Sequence, residues 1–385
     1  MEFYKLDNTN YSKEFFEMFK TLGSDKTGSK IMSKKSKSHL LYIKNMHVGA
    51  ANILKQDALS IGADLAVPMG VIVAREKYVD AILIGTTKHF ETLSKKELAQ
   101  PFGLKELAKE LKSFVNQTKY PTKIMGIINA NDDSFFKGSR FKGDDAILKI
   151  DSMIKDGADI IDIGGVSTRP GSEAVDGDEE LNRVKPICDI IKRKKLYEKV
   201  TFSIDSYTPK VVEYALKSGF KIVNDVTGLI NDEIAQITAK YDATIVIMHM
   251  LGKPKDMQEN PKYENVIIDI DNFFKKSIQK AKDFGIKDII LDVGIGFGKT
   301  LEHNLILLKN MEHFRHFGYE ILIGASRKSM IDKIVPTPTE QRLSGTLAIH
   351  LDSIKRGASI VRCHDVKEHY QAIKVQEAIN SIKSI

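Results

Sequence analysis

From Lys123 onward the chain carries a series of short apolar runs, and each ends on residues able to do chemistry. Asn129 closes the first, Gly164-Gly-Val-Ser-Thr168-Arg169-Pro170-Gly171 follows the second, Asp205 the third and Asn224-Asp225 the fourth. His249 follows the fifth, Asp292-Val-Gly-Ile-Gly-Phe297-Gly-Lys299 the sixth, Gly324-Ala-Ser326-Arg327-Lys328 the seventh and Arg362-Cys-His364-Asp365 the eighth. Two chemistries separate here. Asp205, Asn224 and Asp292 offer acceptors and an amide, which suits a planar heterocycle whose edge carries amino and ring N–H donors, because a carboxylate accepts two parallel N–H bonds. Thr168, Arg169, Ser326, Lys328, Arg362 and His364 offer donors and positive charge, suited to a carboxylate or a diphosphate. The substrates should therefore include a donor-edged heterocycle and at least one polyanion. Any single one of these residues could equally be a helix cap or a turn former. Their recurrence at eight successive run ends is what argues for a site.

Other chemistries fit less well. The stretch Gly294-Ile-Gly-Phe-Gly-Lys-Thr300 is reminiscent of a phosphate-binding loop, but that pattern requires a glycine where Val293 stands. The ten histidines show no pair at zinc-site spacing, and no serine sits in a nucleophile-elbow sequence. A zinc hydrolase and a serine hydrolase are both disfavoured.

The elements that must position these residues can be read from the pattern itself. Apolar runs at Lys123–Ile128, Ile160–Ile163, Thr201–Ile204, Lys221–Val223, Thr244–Met248, Ile289–Leu291, Ile321–Ile323 and Ile360–Val361 predict eight strands. Segments with helical periodicity lie between them, among them Asp145–Asp156, Pro209–Ser218, Asn265–Phe284 and Thr339–Arg356, several followed at once by glycine. Eight βα units in about 265 residues, close to the roughly 250 such a fold typically takes, predict a (β/α)8 TIM barrel, whose chemistry is built at the carboxyl ends of its strands. A doubly wound open sheet is the alternative.

Residues 1–120 read differently, with apolar runs His39–Ile43, Leu65–Ala74 and Ala81–Ile84 and helical segments Ala50–Ser60 and Lys105–Phe114. They predict a separate small α/β domain, 1–120, ahead of the barrel domain, 121–385, with the boundary in the polar stretch that ends at Pro121. A structural or oligomer-forming role is the default for it. A length of 385 residues accommodates two domains, and 42% hydrophobic with 28% charged residues is ordinary for a folded protein. Two cysteines, Cys188 and Cys363, are too few for a disulfide framework and predict a reducing cytoplasm. No export signal is read at the amino terminus, and the longest nearly apolar run, Leu65–Ala74, is far short of a membrane span.

The net charge of +7 is concentrated: residues 1–120 carry 19 Lys and Arg against 13 Asp and Glu, and the remainder 39 against 38. No aromatics interleave with Lys26, Lys30, Lys34, Lys35 and Lys37, so a solvated surface is expected there and no nucleic-acid partner. A further expectation is that the basic segment near Lys34 extends over the barrel mouth and helps to collect an anionic substrate by steering.

Taken in order, Ile124-Met-Gly-Ile-Ile-Asn129, Asp162-Ile-Gly-Gly-Val-Ser-Thr-Arg-Pro-Gly171, Ser203-Ile-Asp205-Ser, Asn224-Asp-Val, Met248-His-Met250, Asp292 to Lys299, Gly324-Ala-Ser-Arg-Lys328-Ser and Val361-Arg-Cys-His-Asp-Val366 resemble the dihydropteroate synthase family of the folate pathway. The resemblance spans about residues 121–380 and leaves the first 120 uncovered. It implies condensation of 6-hydroxymethyl-7,8-dihydropterin diphosphate with p-aminobenzoate, giving 7,8-dihydropteroate and diphosphate with Mg2+, and competition by sulfonamides. It also implies a homodimer. Carried over by motif, Asp205, Asn224, Asp292 and Lys328 hold the pterin, with Met248, Phe297 and Gly324 lining its pocket. Thr168, Arg169, Pro170 and Ser326 then form the p-aminobenzoate side, while Arg169, Arg362 and His364 take the diphosphate and Asn129 the metal. Asp205, Lys328 and Arg362 are the groups implied for catalysis.

One departure stands out. The family usually shows Asn-Val-Thr-Pro-Asp-Ser-Phe-Ser-Asp-Gly in its first loop, and this chain has Asn129-Ala-Asn131-Asp132-Asp133-Ser134-Phe135-Phe-Lys137-Gly138. Two other readings stay open at this point. A pterin-binding methyltransferase barrel would share the Asp/Asn/Asp set without needing Thr168-Arg169-Pro170, and a catalytically silent pterin-binding scaffold would account for the altered loop.

Overall fold

The computed structural model describes residues 12–115, 117–130, 142–166, 175–252 and 257–382. The chain divides into two units, Met1–Gln117 with His316–Gly318 and Asn380–Ile385 in one, and Thr118–Arg315 with Tyr319–Ile379 in the other. In the first, helices α1 (Ser12–Thr21) and α2 (Lys26–Ser36) precede strand β1 (Ser38–His47), helix α3 (Val48–Leu59), strands β2 (Asp64–Ala66) and β3 (Tyr78–Thr86), and helices α4 (Thr87–Lys96) and α5 (Leu104–Val115). β3 lies between β1 and β2 and is antiparallel to both. Val79, Ala81 and Leu83 are buried while Tyr78, Asp80, Ile82 and Ile84 are exposed, the alternation a sheet with one covered face requires. Leu54, Leu83, Phe90, Leu93, Leu104 and Leu111 belong to the core of this unit.

One expectation changes here. The apolar run Leu65–Ala74 supplies only the end of β2. Beyond it Pro68 removes a backbone donor, Gly70 (φ 93°) and Ala74 (φ 51°) turn the chain, and Met69, Ile72 and Val73 are left exposed. The lysine run keeps the solvated surface expected of it: Lys26, Lys30, Lys34 and Lys35 lie on α2 behind its N-cap Asp25 and Lys37 caps its end, with Lys26, Lys30 and Lys35 exposed and Lys34 paired with Glu91 at 2.7 Å.

The second unit is the expected TIM barrel. Strands β4 (Lys123–Asn129), β5 (Ile160–Gly164), β6 (Thr201–Asp205), β7 (Ile222–Asp225), β8 (Thr244–Met248), β9 (Ile289–Asp292), β10 (Glu320–Ile323) and β11 (Ile360–Cys363) close into a parallel barrel in which β11 pairs with β4. Closure removes the open-sheet alternative. Met125, Ile160, Ile222, Val246, Ile290, Leu322 and Ile360 pack together as a buried cluster within the barrel, the branched filling that makes such a barrel a core and no pore.

Helices α6 (Lys142–Lys155), α7 (Gly177–Lys194), α8 (Pro209–Lys217), α9 (Asp232–Lys240), α10 (Val266–Asp283), α11 (Leu301–Lys309), α12 (Ser329–Ile334), α13 (Leu343–Lys355) and α14 (Val366–Ser381) alternate with the strands. Their ends are written in the sequence. α7 starts at the N-cap Asp176, carries Asp178, Glu179 and Glu180 in its first turn and Lys192, Arg193 and Lys194 in its last, each charge set against the favourable end of the helix dipole. α8 opens on Pro209, whose missing N–H would have had no helical partner. The expected helix Thr339–Arg356 is shorter: a 3-10 turn at Thr339–Gln341 precedes α13.

Most strands run one or two residues beyond the apolar stretch, so the polar residues read as following a strand are its last members. Asn129 pairs with Gly164, Gly164 with Asp205, and Asp205 with Asn224, which sets four neighbouring strands level at the mouth. The ladder holds the backbone of these residues whatever their side chains, and the side chains are left to the site.

Candidate active site

Arg362 reaches from β11 to acids on β5 and β6. Its Nε donates to Asp162 Oδ2 at 2.7 Å and its Nη2 to Asp205 Oδ2 at 2.6 Å, and neither bond uses Nη1. Asn224 Nδ2 donates to the same Asp162 oxygen at 3.1 Å. Asp162, Asp205 and Asn224 are buried. Their network has three buried oxygens, Asp162 Oδ1, Asp205 Oδ1 and nearby Ser203 Oγ on β6, that meet no hydrogen-bond partner among the described residues. A buried carboxylate oxygen in that state costs about 1–3 kcal/mol or more and calls for an N–H donor. Burial pushes the Asp205 carboxyl up to about 7; Arg362 opposes this, and the charges of Asp162 and Glu180 add to it. Asp292 is likewise raised by burial, against a 2.7 Å hydrogen bond from the Gly294 N–H and the nearby cations Lys328, Lys299 and Arg362.

Beside this polar network stands an apolar wall. Met248 and Phe297 are buried together with Val226 and Met257, and the Lys328 ammonium sits 4.0 Å from the centre of the Phe297 ring. The loop that carries Phe297 needs its glycines for close approach. Gly294 (φ 68°) and Gly298 (φ 62°) would place a Cβ 2.0 Å from the His249 carbonyl oxygen and 2.4 Å from that of Leu251. The glycine spacing there therefore serves to seat one loop against its neighbour. Lys299, the residue that gives the stretch its resemblance to a phosphate loop, is buried. Its Nζ donates to Phe297 O at 2.9 Å and His249 O at 3.2 Å and lies 3.0 Å from His249 Nδ1. Burial holds the Lys299 ammonium down to about 7 and, helped by Lys299, the His249 ring down to about 2. His249 is thus neutral, with Nδ1 available as an acceptor for Lys299.

The loops after β10 and β11 meet at the other side. Ser326 Oγ lies 2.9 Å from His364 Nδ1, and Arg327 forks onto the Asp365 carboxylate at 2.5 and 3.2 Å. Gly324 faces open space: a Cβ added there would have Asp292 Oδ2 and the Cβ and Cδ of Arg362 as its nearest atoms, each at 4.0 Å.

Of the residues singled out by sequence, Asp205, Asn224 and Arg362 are joined by hydrogen bonds through Asp162, Lys328 covers Phe297, and Gly324 lies against Asp292 and Arg362. Thr168, Arg169 and Pro170, and the altered positions Asn131, Asp132 and Lys137, lie outside the described residues. The division into an acceptor set and a cationic set does not survive as a division in space, since Arg362 of the second set is bonded to Asp205 of the first. Two neighbouring buried acids require such a cation. Asp225 is a turn former: its carboxylate accepts from Thr227 N at 2.8 Å, Thr227 Oγ1 at 2.6 Å and Leu229 N at 2.9 Å. Asp162 and Lys299 lie within the quoted motifs, but the sequence reading gives neither a role in the site. An acid inside an otherwise apolar strand and a lysine among glycines were the available signals.

The model of the family described as pterin binding enzyme matches residues 125–364. A bifunctional dihydropteroate synthase/dihydropteroate reductase of Helicobacter pylori is 41% identical over 359 residues, which are 93% of this chain and 94% of that protein. A dihydropteroate synthase of Clostridium beijerinckii is 44% identical over 263 residues, 67% of this chain and 94% of that protein. Among solved structures, the Yersinia pestis dihydropteroate synthase in complex with a sulfonamide drug superposes with a TM-score of 0.64 at 36% identity, covering 68% of this chain and 95% of that one.

Proposed function

The chain belongs to the pterin-binding enzyme family, among its dihydropteroate synthases, and condenses 6-hydroxymethyl-7,8-dihydropterin diphosphate with p-aminobenzoate to give 7,8-dihydropteroate and diphosphate; on that premise we propose how its residues divide the work. Asp205, Asn224 and Asp292 take the donor edge of the pterin, and Met248, Phe297 and the ammonium of Lys328 take its faces. The observation that carries this assignment is the buried Asp205 Oδ1, which has no donor from the described residues while its partner oxygen is held at 2.6 Å by Arg362. Ser326, with Thr168, Arg169 and Pro170, takes p-aminobenzoate.

Breaking the C–O bond to diphosphate leaves a cation delocalised over the dihydropterin and builds negative charge on the leaving group. The carboxylates of Asp205 and Asp292 stabilise the first, and Arg362 and His364, with Arg169, stabilise the second. The aryl amine is a weak base, already deprotonated at neutral pH, and attacks without a strong general base. No side-chain nucleophile is required.

Asn129 offers one hard amide oxygen at the end of β4, and Mg2+ is commonly held by one or two protein oxygens together with phosphate oxygens and water, so the donor fits that ion. Bound there, Mg2+ would offset the charge gathering on diphosphate. We further infer a homodimer, sulfonamide competition at the p-aminobenzoate position, and a cytoplasmic setting, the last supported by two free buried cysteines. Incubation with the pterin diphosphate, p-aminobenzoate and Mg2+ is expected to release diphosphate in step with 7,8-dihydropteroate. Pterin binding without any diphosphate release would instead make the chain a silent pterin-binding scaffold.

A second activity is favoured by the extent of the matches. The Helicobacter pylori relative, whose name includes dihydropteroate reductase, matches 93% of this chain, whereas the Clostridium beijerinckii synthase matches 67%. A match over 359 of 385 residues must extend into the first unit, and we assign that unit to reduction of dihydropteroate. A hydride from a reduced nicotinamide or dihydroflavin would add to C6 of the dihydropterin and a proton to N5, leaving the oxidised donor and tetrahydropteroate. The full chain given 7,8-dihydropteroate and each donor under anaerobic conditions should oxidise one of them in step with loss of the dihydropterin. Oxidation of neither would remove this second activity.

A further inference from the structure

We propose that His350 and His369, two buried histidines outside the substrate-facing set, are positioning residues that hold the p-aminobenzoate side of the site. A one-directional chain of hydrogen bonds through their rings ties the loop after β10, which carries Ser326 and Lys328, to the loop after β11, which carries His364 and Asp365. The proposal rests on the assignment of Ser326 to p-aminobenzoate.

Each end of the chain fixes its direction. The backbone N–H of Ala325 donates to His350 Nε2 at 3.1 Å, so that nitrogen carries no proton. At the other end the acceptor is a carbonyl, Asp365 O, 2.6 Å from His369 Nδ1, so Nδ1 of His369 must carry one. Between them His350 Nδ1 and His369 Nε2 are 2.9 Å apart. A neutral imidazole has one donor and one acceptor nitrogen, and only one arrangement satisfies all three contacts: both rings protonated at Nδ1, with His350 donating to His369. Both rings are buried and their basicity is lowered by that burial, which keeps them neutral, as the chain requires.

The segment held in this way cannot relax on its own. Arg327 adopts φ 55°, a left-handed conformation that a non-glycine residue keeps only when its surroundings impose it. Its N–H is taken by Thr346 Oγ1 at 3.0 Å, its carbonyl by Arg342 at 3.2 Å and its guanidinium by Asp365. His350 fixes the residue immediately before Ser326, whose hydroxyl meets His364 at 2.9 Å. Lys328 lies beyond the Arg327 struts. Loss of the histidine chain should therefore loosen Ser326 more than Lys328, and p-aminobenzoate more than pterin.

The test compares His350→Leu, His350→Gln and Ser326→Ala in the full chain, with steady-state kinetics for both substrates, pterin binding at equilibrium, and nitrogen-15 spectra of the histidine rings of the unsubstituted protein. His350→Leu is expected to raise KM for p-aminobenzoate about tenfold, the factor for one lost hydrogen bond of about 1.4 kcal/mol, with pterin affinity within roughly twofold. His350→Gln, whose amide oxygen can accept from Ala325, should recover most of that loss. The spectra should show two rings in the Nδ1–H form. A p-aminobenzoate KM unchanged in His350→Leu, or rings protonated at Nε2, overturns the proposal. Ser326→Ala separates the two layers: if it leaves KM for p-aminobenzoate unchanged, the assignment of Ser326 fails and the positioning role fails with it. Should His350→Leu not fold, the glutamine variant and the ring spectra decide.

Discussion

Asp205→Ala should weaken pterin binding by about 10^2 to 10^4-fold. The estimate follows from two hydrogen bonds to a charged group, each worth roughly 1.5–3 kcal/mol, lost across the donor edge of the ring. The fold should tolerate the change better than a typical buried-charge deletion, because Arg362 retains Asp162 as a partner at 2.7 Å. The carboxylate is the form that accepts both N–H groups, and burial has pushed Asp205 up to about 7. Below that pH, binding must first remove a proton, so affinity should rise by up to about tenfold per pH unit between pH 5 and 7 and level off above. The stability of the ligand-free protein runs the other way. A carboxyl whose folded pKa is raised contributes stability fully present below its unfolded value near 4 and lost as pH climbs towards 7. Calorimetric titration of a pterin into wild type, Asp205→Ala and Asp205→Asn across this range checks both signs. Wild-type affinity in Asp205→Ala, or an unchanged pH slope in Asp205→Asn, would end the pterin assignment.

What the sequence made legible was whatever is encoded locally. Strand positions followed from runs of β-branched residues, and the carboxyl ends followed because a barrel places its chemistry there. Boundaries slipped where a polar residue still sits in the ladder: Asp205 and Asp292 look like loop residues in the sequence and are strand residues in space. Helix α4 escaped notice because its capping box pairs Thr86 with His89, where the usual signature has Glu or Gln. Asp162 is visible locally only as an acid in an apolar strand, and what it bonds is not. Its partner Arg362 is 200 positions away, and only closure of β11 onto β4 brings the two together. The same holds for His350 and His369, which look like ordinary helix residues until the rings are seen in line with Ala325 and Asp365. Asn224 and Asp225 are adjacent and equally polar. One turns to Asp162 and the other to its own loop, a choice made by the alternation of the strand and by Thr227 and Leu229.

Arg362→Ala should cost both stability and turnover, and a second substitution should separate the two losses. Removing the guanidinium leaves Asp162 and Asp205 as neighbouring buried acids with no bridging cation, and deleting one partner of a buried ion pair typically costs about 3–5 kcal/mol. Turnover should fall by about 10^2 to 10^3-fold, the usual effect of losing one fixed donor aimed at developing negative charge. Adding Asp162→Asn removes one of the two stranded charges, so the double variant should recover most of the lost stability in denaturant unfolding. It cannot restore a cation facing diphosphate, so its turnover should stay as low as that of Arg362→Ala. Asp162→Asn alone keeps the bond from Arg362 to Asp205 and should lose less than about tenfold in turnover, while the matching Arg362→Lys, which cannot fork between two carboxylates, should resemble the alanine variant more than the wild type. If the double variant regained turnover along with stability, Arg362 would act only by holding Asp162 and Asp205 in place, and stabilisation of the departing diphosphate would fall to His364 and Arg169.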